Sequence, residues 1–230
     1  MKLKNILIVA FSILLLSCGN HSNSEVFIEK ATGRYLYNSD EVVIVYFEKG
    51  ELTINWRGAT SIKPLKVDEN TFYVKEMNEK IQFITNPVTQ KDYIVLVPKE
   101  KDQPIKYNYR KLKNTEKTPS EYFKNNEFDK ALEGYLTIQK NDSLDSAINE
   151  SDLNSIGYKE LRDKNYIKAL NIFKINMALY PASSNVYDSY ADGMKQSGDT
   201  LQAIQYYKKS LAIDSGNSRA KEFIKKYEKK

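Results

Sequence analysis

The chain has 230 residues, of which 41% are hydrophobic and 28% charged, and a formal net charge of +5. That length accommodates one large domain or two small ones with closed cores, and so mild a charge, +3 once Lys2 and Lys4 are set aside, does not point to nucleic acid. A single cysteine excludes an internal disulfide, and a single histidine, His21, near the start, largely excludes the common catalytic dyads and metal clusters that need His or paired Cys. No cofactor, metal ligand or catalytic residue is therefore expected, and only carboxylate chemistry stays open.

Residues 1–18 have the layout of a secretory signal. Lys2 and Lys4 supply the positive start, and residues 6–16 form an apolar run too short to span a bilayer. The run ends in Leu15-Leu16-Ser17-Cys18-Gly19, which resembles the bacterial lipobox, although Leu16 departs from its usual choice. The resemblance implies a signal peptide over residues 1–17 and a lipid on Cys18. It also implies attachment to the bacterial cell envelope, at the outer membrane facing the periplasm. A secreted protein cut elsewhere and an uncleaved anchor are the alternatives. Residues 18–25 are small and polar and read as a flexible tether, in which His21 is solvated.

From Gly33 the apolar rhythm shortens to two, the period of strands. Residues 41–48 and then Leu52, Ile54 and Trp56 form a hairpin across Lys49-Gly50, where Gly50 supplies a positive φ. Further strands are expected over residues 62–67, 71–75, 80–85, 93–97 and 105–112, with no helix between them. Seven or eight short strands predict a small antiparallel sandwich or barrel over residues 26–112. Trp56, Tyr35, Tyr37, Tyr46, Phe47, Phe72, Tyr73, Phe83 and Tyr93 read first as sheet core and secondly as a sugar-binding platform.

Gly33-Arg34-Tyr35, residues 52–58, Pro64-Leu65, Thr71-Phe72-Tyr73 and Ile81-Gln82-Phe83 resemble the small β-domain that follows serine hydrolase domains of the penicillin-binding and class C β-lactamase type. Several members of that family also carry helical repeats at their C-terminus. The hydrolase itself is missing: Ser218-Arg219-Ala220-Lys221 is the only Ser-x-x-Lys string, it has no partner motifs, and it reads as chance.

Residues 113–119 read as a linker into a helical half over residues 120–230. There one pattern is written twice: Gly157 and Ala191, Ala169 and Ala203, Phe173 and Tyr207, and Pro181 and Ser215 are each 34 residues apart. Ala131, Tyr135 and Ile138 mark a degenerate earlier copy, offset by 38. This arrangement resembles the tetratricopeptide (TPR) family. The expected class is thus α+β in two domains, a β half followed by a short TPR α-solenoid. Its repeats cover about residues 120–140, 150–183 and 184–217, with a capping helix over 218–230 opened by Ser218.

The TPR resemblance implies a non-catalytic scaffold that binds an unidentified protein or peptide in a concave groove. Carried onto this chain it points to Asn154, Tyr158, Leu161, Asn185, Asp188, Asp192 and Lys195. The lysine, asparagine and arginine clamp for a C-terminal carboxylate is missing, and Asp188 with Asp192 suggests a neutral or basic peptide. Ordinary solvated surface is the competing reading of that pair. Alternative functions are an accessory or remnant part of a serine hydrolase system, or carbohydrate binding by the β half. Asp142-Ser143-Leu144, Asp145-Ser146-Ala147 and Asp199-Thr200-Leu201 resemble a bacterial O-glycosylation acceptor and equally fit helix caps and turns.

Overall fold

The structure is a computed structural model that describes residues 23–100 and 102–228. The expected leader, Cys18 and His21 lie outside the described residues.

The first element is a helix at the start of the half that was expected to hold strands alone. Residues Glu25–Ala31 form a helix, α1, because the Ser24 hydroxyl accepts the Phe27 N–H at 3.2 Å and Glu25 and Lys30 suit the two helix ends. With seven residues it is too short to show a helical period in sequence. Phe27 places its ring among Phe47, Phe72 and Phe83, at centroid distances of 5.9, 5.7 and 5.5 Å, so α1 packs against the sheet core.

Nine strands follow: β1 Gly33–Leu36, β2 Val42–Glu48, β3 Glu51–Trp56, β4 Ala59–Ile62, β5 Leu65–Lys66, β6 Thr71–Val74, β7 Glu79–Thr85, β8 Asp92–Leu96 and β9 Tyr109–Lys111. They form one antiparallel sheet in the order β4-β3-β2-β1-β9-β8-β7-β6-β5. One face collects a single core that includes Tyr35, Val45, Leu52, Ile54, Phe72, Val74, Ile81, Phe83 and Ile94. The two marginal strands, β4 and β5, are consecutive in sequence and separated only by Lys63-Pro64. The sheet therefore curls into a half-barrel open along one seam, rather than splitting into a two-layer sandwich. Pro64 has no N–H to ladder, and β5 has only two residues, so the seam stays unpaired.

Turn chemistry sets the hairpins. Lys49 and Gly50 both take positive φ (52° and 82°), as do Arg57 and Gly58 (49° and 80°), which is the two-residue turn whose twist matches paired strands. The first was expected; the second places β4 ahead of Lys63-Pro64, where one strand over residues 62–67 was expected. The last expected strand shortens to β9, and the Asn108 side chain accepts the Leu96 N–H at 2.9 Å in place of a ladder bond.

Thr118 opens the helical half with a capping box, its side chain facing the Glu121 N–H while the Glu121 carboxylate accepts the Thr118 N–H at 2.9 Å. The helices are α2 Pro119–Lys124, α3 Phe128–Asn141, α4 Glu150–Arg162, α5 Tyr166–Leu179, α6 Ser184–Gln196, α7 Thr200–Ile213 and α8 Ser218–Glu228, with a 3-10 turn at Ser146–Ile148. They pair as α2/α3, α4/α5 and α6/α7. The turn inside each pair puts one residue at positive φ in matching places: Asn126 at 62°, Lys164 at 59° and Gly198 at 94°. Ala131, Ala169 and Ala203 are fully buried at the equivalent crossing. A Cβ on Gly157 would lie 2.3 Å from the Phe173 ring, so only glycine permits this approach of α4 to α5. Asn217, not Ser218, caps α8: its side-chain oxygen accepts the Ala220 N–H at 3.1 Å.

Candidate functional site

Stepping by the repeat period aligns the inner stripes of the leading helices. Asn154 and Tyr158 on α4 match Asp188 and Asp192 on α6, and one further step from Asn185 reaches Arg219 on α8. The structure brings these groups together. The Arg219 guanidinium spans both carboxylates, with Nη1 2.6 Å from Asp192 Oδ2 and Nη2 on Asp188 Oδ2. Asn217 Nδ2 donates to Asp188 Oδ1 at 2.6 Å, the Tyr158 hydroxyl donates to Asp192 Oδ2 at 2.9 Å, and the Tyr207 hydroxyl donates to Asp192 Oδ1. Lys195 Nζ stands 3.8 Å from Asp192 Oδ1, and its ammonium lies over the Phe223 ring.

The free acidic face suggested by the sequence is therefore corrected. Asp188 and Asp192 are 9% and 3% exposed and face a guanidinium supplied by the capping helix, which offsets their charge. Burial pushes the Asp188 carboxyl above its ordinary range, against the pull of Arg219, and burial lifts the Tyr158 hydroxyl to about 12. Tyr207 is pushed up further, by burial first and then by Asp192. These tyrosines act here as neutral donors to a held carboxylate.

Among the remaining expected groove residues, Leu161 sits in the core with Ala169, Phe173 and Tyr190. Asn185 is exposed and donates to Glu150 Oε1 at 3.0 Å, and Lys195 is exposed. Asn154 is partly buried, with a side-chain oxygen that lacks a hydrogen-bond partner among the described residues. Tyr207, Asn217 and Arg219 were not singled out as site residues. The signal for Arg219 was present in the 34-residue register but was hidden in the Ser-x-x-Lys string, whose Ala220 is fully buried.

The β-half aromatics behave as packing residues. Tyr35, Phe72 and Phe83 are buried, and Trp56 packs on the core beside Tyr37 at 5.3 Å, with the Arg57 guanidinium over both rings. In the three Asp-Ser/Thr strings the aspartates turn or cap the chain: Asp142 accepts from the Leu144 N–H, Asp145 from the Ala147 N–H and Asp199 from the Gln202 N–H. Among the described residues no group of His, Cys, Asp or Glu is arranged to hold a metal ion, and no helix is long and apolar enough to cross a membrane.

No protein-family model matches the sequence, and no curated protein matches it. Solved structures similar to the chain include the first TPR of Spaghetti (RPAP3) bound to the HSP90 peptide SRMEEVD. That match has a TM-score of 0.34 and 18% identity, over 48% of this chain and 85% of that one. Another is a point mutant of MamA, at TM-score 0.37 and 16% identity over 47% and 77% of the two chains. A third is the Sgt2 TPR domain from Aspergillus fumigatus, at 0.34 and 13% over 48% and 72%.

Proposed function

We propose that this protein is a non-catalytic interaction scaffold of the bacterial envelope, anchored by a lipid on Cys18. In this reading its concave helical face receives a protein or peptide. The observation that carries the proposal is the aligned stripe on α4 and α6, in which positions one repeat apart converge on one surface. Repeat arrays of paired helices present such continuous concave surfaces.

The contact residues in this reading are Asn154, Tyr158, Asn185 and Lys195. Asn154 offers an acceptor without a partner among the described residues, and Asn185 and Lys195 are open to solvent. Asp188 and Asp192 shape the floor of the groove through their pairing with Arg219. With that charge balance the groove suits a neutral or weakly polar peptide. The β half serves as spacer between the membrane and the array, facing the periplasm from the outer membrane.

Two experiments test the proposal. A fatty-acid analogue supplied to cells should label the wild type, and a Cys18→Ala protein that still labels would contradict the anchor. For the groove, Asn185→Glu with Lys195→Glu should abolish recovery of a crosslinked envelope partner while leaving circular dichroism unchanged. Undiminished recovery would contradict it.

A further inference from the structure

We infer that the β half is the leading cap of the helical array, with Asp40 filling the place that a helix residue fills in a later repeat.

The first repeat is incomplete on its own. Helices α4 and α6 have 13 residues each, whereas α2 has six, about two turns fewer. The offsets of 38 and 34 make Ser120 equivalent to Tyr158 and Asp192, and Tyr135 equivalent to Phe173 and Tyr207. In the third repeat the Tyr207 hydroxyl donates to Asp192, on the leading helix of the same repeat. In the first repeat the corresponding leading-helix residue is Ser120, which offers no carboxylate.

The turn between β1 and β2 supplies one. Asp40 Oδ1 accepts the Ser120 N–H at 2.7 Å, and Asp40 Oδ2 accepts the Tyr135 hydroxyl at 3.0 Å. The Ser120 hydroxyl in turn donates to the Asp40 carbonyl at 3.3 Å. The same tyrosine–carboxylate contact is thus made in the first and third repeats, once across the two halves and once within a repeat. The turn is preorganised for this contact, since Asn38 Oδ1 accepts the Asp40 and Glu41 N–H groups at 3.0 and 2.7 Å.

Flanking contacts fix the same orientation. Ser39 donates to the Asp145 carboxylate, and Arg34 pairs with Glu121 while its Nη1 donates to the Glu116 carbonyl at 2.8 Å. Arg110 of β9 meets Glu116 at 2.8 Å. Two domains joined by a passive linker would need none of these bonds. Their consequence is a single cooperative unit, in which the groove starts at the second repeat because Asp40 occupies the place beside α2.

Two probes separate the halves. The only tryptophan, Trp56, reports on the β half, and among the described residues all helices except α1 lie in the other half, so circular dichroism at a helix-sensitive wavelength reports on the array. In urea titrations of the full chain the two signals should share one midpoint. In Asp40→Ala the helical signal should melt first and separate from the Trp56 signal. Amide exchange gives a second reading: Ser120 lies in the first turn of α2, where an amide has no helical partner, so its protection comes from Asp40. Its exchange should accelerate about tenfold or more in Asp40→Ala. Should that variant fail to fold, Tyr135→Phe removes one hydroxyl only and should separate the midpoints in the same direction. Separate midpoints in the wild type, or an unchanged Ser120 rate in Asp40→Ala, would overturn the inference.

Discussion

Tyr158 and Asp192 are 34 residues apart, one repeat period, and the hydroxyl of the first donates to the carboxylate of the second at 2.9 Å. Equivalent positions in successive repeats are therefore directly bonded, so this stripe of α4 and α6 is a joint between repeats. Asp192 additionally receives Tyr207 and Arg219. Asp192→Ala leaves the fully buried Tyr207 hydroxyl without its acceptor and should destabilise the array by about 2–4 kcal/mol. Tyr158→Phe removes a single bond and should cost about 1 kcal/mol. Urea midpoints followed by circular dichroism check both, and equal effects would refute the ordering.

Glycine is required at one helix crossing more than at the next. Gly157→Ala places a methyl 2.3 Å from a carbon of Phe173, a ring that is fully buried. Overpacking of this kind costs about 1–3 kcal/mol, and the better helix propensity of alanine offsets only about 1. At Gly193 the nearest atom is the end of the Leu170 side chain at 2.9 Å, which can move aside. Gly157→Ala should therefore lower the melting temperature, Gly193→Ala should leave it nearly unchanged, and Phe173→Leu should recover part of the loss at Gly157.

Asp40 should give the joint between the halves a pH dependence. Burial raises its carboxyl pKa, and hydrogen bonds from Ser120 and Tyr135 offset only part of that rise. A raised folded-state pKa means that the stabilisation from protonation is complete below the ordinary aspartate value and is lost as pH rises through the folded value. Asp40→Asn removes this titration. The stability of the wild type relative to Asp40→Asn should therefore rise as pH falls from neutral toward the ordinary aspartate range. Parallel denaturant titrations measure it, and a relative stability that falls as pH falls would contradict the assignment of this titration to Asp40.

The helix pairs were legible because packing imposes small residues at fixed places: Gly157, Ala169, Ala191 and Ala203 leave a register that no loop sequence mimics. In the β half β2, β3, β6, β7 and β8 were legible, since alternation and the Lys49-Gly50 turn report on local geometry, whereas β1 was not marked as a strand, β4 and β5 were read as one strand and β9 was read too long. Closure was not legible. Whether strands form two layers or one curled sheet depends on how β4 and β5 meet across Lys63-Pro64, and pattern within a strand is blind to that. Helix α1 was missed because seven residues show no period. At the groove the stripe of α4 and α6 could be read, but burial of Asp188 and Asp192 by Arg219 could not, since a charged residue looks the same in sequence whether solvated or paired. Asp40 left no signal at all: its partners, Ser120 and Tyr135, lie 80 and 95 residues away.

The central claim is that the concave face is the working surface. It is tested most directly by placing a photo-crosslinking amino acid at Asn185, in the groove, and separately at Lys174, an exposed position on α5, and irradiating intact cells. The account predicts a discrete adduct from Asn185 that Lys174 does not give. Adducts identical from both positions, or formed only from Lys174, would contradict it.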